Sequence, residues 1–181
     1  MAATDQDSGA KAKLVDTLYQ QLFGDHELKT YAVLDGASIP DLLEHLKTDA
    51  PDHFCLYRGE LSAELAEAAP YLVELQPDTP FTEWVLSEGW GNHWGIFALS
   101  AADLREMRKH FRTFLIVKDP GGKQLYFRYY DPRVLLVFLP TCNAGQRKSL
   151  FGPIRKYVLE DETKQVARTI QNSTSGLKGL E

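Results

Sequence analysis

Apolar positions set the first element. Leu14, Leu18 and Leu22, with Val15 and Tyr19, form one stripe at helical spacing, which predicts an amphipathic helix from Lys11 to a stop at Gly24. "KTYAVLDGA" follows as a short strand rich in β-formers and closed by Asp35-Gly36. Ser38 is expected to cap a helix in which Leu42, Leu43 and Leu46 share a face. "DHFCLYRG" reads as a second strand and Ser62 to Ala68 as a short helix or turn. "APYLVELQP" reads as a third strand, because Pro70 and Pro77 exclude helix at its two ends.

Thr79 or Thr82 caps a helix through Trp84, Val85 and Leu86 that stops at Gly89. "NHWGIFALS" is then a strand with Trp94, Phe97 and Leu99 as core positions. Ser100, three residues before Asp103, imitates a capping box and opens a helix through Lys109. Two β-rich runs flank "DPGG", so "FRTFLIVKDPGGKQLYFRYYD" predicts a β-hairpin. Asp131 is placed to cap the next helix, with Pro132 at its first position and an end near Pro140. A loop or short helix around Phe151, a strand "IRKYVLED" and a polar helix "ETKQVARTIQ" complete the chain. The predicted fold is α/β: one domain, with a mixed sheet of about five to seven strands and flanking helices. Residues 1–10 read as a flexible N-terminal tail, 11–160 as the α/β domain, and 161–181 as a polar C-terminal helix and tail.

Composition narrows the class. At 181 residues there is room for one domain with a sizeable core, and 44% apolar with 25% charged residues is ordinary for a globular protein. A net charge of −5 argues against a sequence-independent nucleic-acid binder, although arginines crowd between Arg105 and Arg155. The longest purely apolar run, Val134 to Leu139, is far too short to span a membrane, and the N-terminus lacks the pattern of a secretory signal. Cys55 and Cys142 lie far apart and read as small apolar side chains of a reducing cytoplasm.

Candidate chemistry is sparse. The five histidines, at 26, 45, 53, 93 and 110, show no HExxH or paired helical spacing, and no CxxC accompanies them, so no metal site is expected. His53 and Cys55 share a strand face without an oxyanion motif. "DPGGK" lacks the phosphate-loop spacing, and GxSxG is absent. Asp35, Glu74 and Asp131 fall at element ends, where carboxylates serve turns and caps. The remaining cluster is "HFR" at 110–112 with "FRYYDPR" at 127–133. It puts His110, Arg112, Arg128, Asp131 and Arg133 within reach of one another, either as an anion or active site or as an internal Arg–Asp joint.

"YAVLDGA", "APYLVEL", "GWGNHWGIF", "HFRTFLIV", "FRYYDPRVL" and "FLP", in that order over Thr30 to Pro153, resemble the type VI secretion effector adaptor-chaperones, catalogued as a domain of unknown function. The resemblance implies a cytoplasmic bacterial protein that binds and stabilises a cognate toxin effector and helps load it onto the VgrG spike. It implies no cofactor and no established catalytic activity, while charge and hydropathy lead to neither nucleic acid nor membrane being expected as partner. The matching positions include Asp35, Gly36, Trp94, Gly95, His110, Arg112, Arg128, Tyr130, Asp131 and Pro132, expected to be structural. Tyr57, Trp84, Trp90, Tyr126, Tyr129 and Arg133 are the candidates for partner contact, since aromatics and arginine are enriched at interface hot spots. The rival expectations are a small hydrolase or nuclease using His110, Arg112, Arg128 and Asp131, and an immunity protein.

Overall fold

The computed structural model describes residues 14–119, 121–161, 166–173 and 176–179; the expected tail at 1–10 lies outside them. A helix over residues 14–23 (α1) leads into β1 (Lys29–Asp35), a 3-10 turn (Gly36–Ser38) and α2 (Leu42–Thr48). Then come β2 (His53–Cys55), α3 (Ala63–Glu67), β3 (Pro70–Leu75), α4 (Pro80–Gly89), β4 (Gly95–Ser100) and α5 (Leu104–Arg112). The hairpin β5 (Ile116–Lys118) and β6 (Gln124–Tyr126) precedes α6 (Pro132–Phe138) and α7 (Ala144–Phe151). Three strands finish the described chain: β7 (Ile154–Asp161), β8 (Val166–Ser173) and β9 (Gly176–Lys178).

Seven strands form one sheet in the order β2-β3-β1-β4-β7-β8-β9, within the expected number and with helices flanking it. Every described pair is antiparallel, which refines the mixed sheet, and the hairpin stands outside as a two-stranded sheet of its own. Central β1 pairs Ala32 with Val73 of β3 on one side and with Phe97 of β4 on the other.

Both faces of the central strands are covered. Tyr31, Val33, Leu72, Ile96 and Ala98 belong to a core with residues of α5, α6 and α7, while Ala32, Leu34, Val73, Phe97 and Leu99 join α1, α2 and α4. Double burial explains why "YAVL" and "YLVEL" run apolar at nearly every position instead of alternating. Trp94, Phe97 and Leu99 are buried as expected. Fully burying a side chain such as Phe111 or Leu72 contributes roughly 1.5–3 kcal/mol each.

Local readings succeed where a side chain acts within its own turn. Ser62, Thr79 and Asp131 cap α3, α4 and α6, and Pro132 occupies the first turn of α6. Two serine assignments are corrected. Ser38 lies in the 3-10 turn and donates to Asp35 Oδ2 at 2.9 Å, leaving Asp41, in the left-handed region, before α2. Ser100 donates to the Pro153 carbonyl at 2.8 Å, and Asp103 caps α5 by accepting from the Glu106 N–H. The polar helix expected at "ETKQVARTIQ" is also corrected: residues 162–165 lie outside the described chain, and Val166–Ser173 is β8, paired to β7 from Tyr157↔Ile170 to Asp161↔Val166. Ile170 is fully buried, and the apolar cover of that sheet face overrides helix propensity.

Gly36 and Gly95 are required by close backbone approach. A Cβ on Gly36 would collide with the Glu67 and Ala69 carbonyl oxygens, and one on Gly95 with that of Val33. Gly36 lets the end of β1 meet the segment before β3, where its N–H donates to the Ala69 carbonyl at 3.1 Å, and Gly95 lets the start of β4 meet β1, where Asp35 N–H donates to the Trp94 carbonyl at 2.8 Å.

Candidate partner-binding surface

The aspartate at the end of β1 anchors the region. Asp35 is buried, and its carboxylate accepts from Ala37 N–H at 3.3 Å, from the Ser38 hydroxyl at 2.9 Å and from Arg128 Nη2 at 2.6 Å. Arg128 also lies 3.9 Å from Asp131 Oδ2. Asp131 in turn holds Arg133 in a fork, Nε at 3.0 Å and Nη2 at 2.9 Å, while its Oδ1 accepts the Arg133 backbone N–H at 3.0 Å. Burial alone would raise the Asp131 carboxyl; the Arg133 side chain and N–H, helped by Arg128, outweigh it and hold the pKa below its ordinary value. Burial disfavours the charged Arg128 guanidinium, but Asp35 more than compensates and raises its pKa.

The expected cluster therefore divides. Asp35, Arg128, Asp131 and Arg133 form one joint, which ties β1 to the start of α6. Arg112 is committed elsewhere, donating to the carbonyls of Leu56 at 3.0 Å, Cys55 at 3.0 Å and Tyr57 at 2.7 Å, and so pins the turn after β2. His110 Nε2 meets the Leu150 carbonyl at 3.0 Å, and burial lowers its pKa more than that contact raises it. These polar groups serve three separate backbone junctions, with no shared cavity among the lining residues of the described pockets.

Tyr129 is the hub beneath the joint and is corrected as a surface candidate: 1% exposed, it stacks on Phe111 at 5.7 Å and touches Phe114, Phe127 and Tyr130. Its hydroxyl donates to the Phe111 carbonyl at 3.0 Å, so the one polar atom of the ring is satisfied within the core. Tyr130 is buried beside it, and Trp94 is buried on the opposite face of the sheet. Trp84 and Trp90 are half-buried; Trp84 is stacked on His45 at 3.7 Å and tilted against Trp94 at 4.8 Å, which leaves little of it for a partner. Tyr57 is half-buried with its ring 6.3 Å from that of Tyr126. Tyr126, at 74% exposed, and Arg133 remain open on the surface.

Three further apolar side chains are exposed that the sequence reading did not select: Ile116 and Leu125 on the hairpin, and Val137, 74% exposed, on α6. The Ile116↔Tyr126 register places those two side by side on one hairpin face. On α6, Val134, Val137 and Phe138 line a groove of about 510 Å³, floored by Phe127 and rimmed by Asp131 and Arg133. "PRVLLVF" carried the signal: a helix with no polar face beyond its first turn, on the outside of a domain, leaves apolar residues facing water.

Among the described residues no three His, Cys, Asp or Glu side chains gather as metal ligands, and no helix is long and apolar enough to cross a membrane. Cys55 and Cys142 are free thiols, and Cys142 Sγ donates to the Phe138 carbonyl.

A family model described as a domain of unknown function, DUF4123, matches residues 30–149, which span the joint, the hairpin and α6. No curated protein and no solved structure matches the chain. With more than half of its length covered by that match, the chain belongs to the DUF4123 family.

Proposed function

We propose that this protein is a non-enzymatic type VI secretion chaperone and adaptor, which holds a cognate toxin effector and helps load it onto the VgrG spike. The observation that carries the reading is the outward apolar face of α6 together with the exposed hairpin residues Ile116, Leu125 and Tyr126. An apolar groove rimmed by the Asp131–Arg133 pair suits the capture of an apolar effector segment, and the resemblance of the ordered sequence blocks supplies the biological setting. The internal commitments of His110, Arg112, Arg128 and Asp131 favour binding over turnover, because each side chain is already engaged by the chain itself.

The physical effect is mass action: binding the folded or export-competent effector, and not its aggregates, raises its apparent stability. Co-expression with a candidate toxin effector tests this. The effector is expected to stay soluble and to be secreted with this protein present, and to lose both when it is deleted. Equal solubility and secretion without it would overturn the proposal, and neutralisation of the toxin's active site would mark an immunity protein instead.

A further inference from the structure

A second surface lies on the far side of Tyr57 from the hairpin. Between β2 and the outer side of α5, an open cleft of about 1050 Å³ is lined by Arg58, Arg105, Arg108, Lys109 and Arg112 over Phe54. Arg105, Arg108 and Arg112 recur at i+3 and i+4 with Lys109 beside them, so one side of the helix is cationic. Arg112 is consumed by its three backbone carbonyls. The others are not: among the described residues Arg58, Arg105, Arg108 and Lys109 have no carboxylate partner.

The arrangement is electrostatically unsatisfied. Arg108 lies 4.4 Å over the Phe54 ring, and its Nε is buried without a hydrogen-bond partner. Burial, followed by the like charges of Arg108 and Arg58, pulls the Arg112 pKa below its ordinary value. The two carboxylates on the cleft lining, Asp103 and Glu106, offset this charge only in part, since five cationic side chains line the same cleft and neither carboxylate forms an ion pair with them. A chain of net charge −5 thus concentrates unpaired positive charge in one place.

We propose that this cleft binds an acidic segment of the partner protein, Glu- or Asp-rich, beside the apolar segment held at α6 and the hairpin. Guanidinium forks such as those of Arg58 and Arg105 match carboxylates in pairs. Nucleic acid fits less well: Arg108 already covers the face of Phe54, leaving no free ring in the cleft on which a base could stack. The two surfaces are joined through Tyr57, whose carbonyl Arg112 holds and whose ring meets Tyr126.

The partner-binding reading underlies this inference, but its test stands apart. Fluorescence anisotropy is measured on the full chain with a labelled peptide of about a dozen residues rich in Glu, its Gln counterpart, and a single-stranded oligonucleotide. The Glu peptide is expected to bind more tightly than the other two, to weaken as salt is raised, and to lose about tenfold or more with Arg105→Glu/Lys109→Glu. Val137→Asp, which alters the groove, should leave peptide binding unchanged. Circular dichroism establishes that each variant is folded; if the double variant is not, Arg105→Gln, expected to weaken binding at least severalfold, decides instead. Equal binding of Glu and Gln peptides, tighter binding of the oligonucleotide, or no effect of the folded variant would overturn the proposal. Failure of the unaltered protein to solubilise the effector, with peptide binding intact, would count against the reading of α6 and the hairpin alone.

Discussion

Arg128 Nη2 lies 2.6 Å from Asp35 Oδ2, joining residues 93 positions apart. Asp35 is 3% exposed at its side chain and Arg128 is half exposed, so the aspartate suffers more when the pair is broken. Arg128→Ala leaves a buried carboxylate with only Ala37 N–H and Ser38 as donors. Breaking a buried pair costs about 3–5 kcal/mol, and exposure of the arginine discounts that to about 2. Adding Asp35→Asn removes the stranded charge, so the double variant should recover about 1 kcal/mol of the loss. Urea unfolding of the four proteins checks this; strict additivity would show that the pair does not couple.

Asp131 performs two tasks at once, capping α6 through the Arg133 N–H and gripping the Arg133 guanidinium. Asp131→Ala is expected to destabilise the fold by about 1–2 kcal/mol, and Asp131→Asn by less, because asparagine still caps but no longer carries the charge. A melting temperature in the alanine variant equal to that of the unaltered protein would refute the assignment.

These two residues also show what the sequence made legible. The Asp131-Pro132 start of α6 was readable because a cap acts within its own turn. So was the hairpin, set by "DPGG", and the strands, set by their apolar runs. The partner of Asp35 was not readable, since nothing local to "YAVLDGA" distinguishes a turn aspartate from one that accepts an arginine far along the chain. Ser38 and Ser100 misled for the same reason, their hydroxyls being drawn to Asp35 and to the Pro153 carbonyl. Tyr129 looked like an interface tyrosine until packing placed it at the centre of the aromatic core, and "VARTIQ" became a strand because β7 offered an edge to pair with. The exposed face of α6 was implicit in its lack of polar residues, but which apolar side chain faces water depends on how the helix is docked.

His110 supplies a pH dependence. Burial disfavours its charged form and outweighs the Leu150 carbonyl contact, so its folded pKa lies below the ordinary value of about 6.5. The stability it contributes is complete above that value and is lost as pH falls through the depressed folded pKa. Asp131, also depressed, contributes in the same direction but in a more acidic window, starting below about pH 4. His110→Gln keeps a donor for Leu150 and removes the titration, so the variant's urea midpoint should change less than that of the unaltered protein between about pH 6.5 and 5. Parallel pH profiles for the two proteins would remove His110 from the account.

The surface prediction separates binding from folding. Tyr126 and Val137 are each 74% exposed, so Tyr126→Ala and Val137→Asp should change stability by no more than about 0.5 kcal/mol. If the hairpin and α6 grip the effector, each variant should nevertheless weaken its retention in a pull-down by about tenfold or more, since central interface aromatics and a charge in an apolar groove are both costly. Tyr129→Ala is the contrast. It removes a fully buried ring and should cost about 3–5 kcal/mol, with effector retention falling only as the folded fraction falls. Folded Tyr126 and Val137 variants that retain the effector undiminished would mean that this apolar face serves something other than effector capture, whatever the fate of the Tyr129 variant.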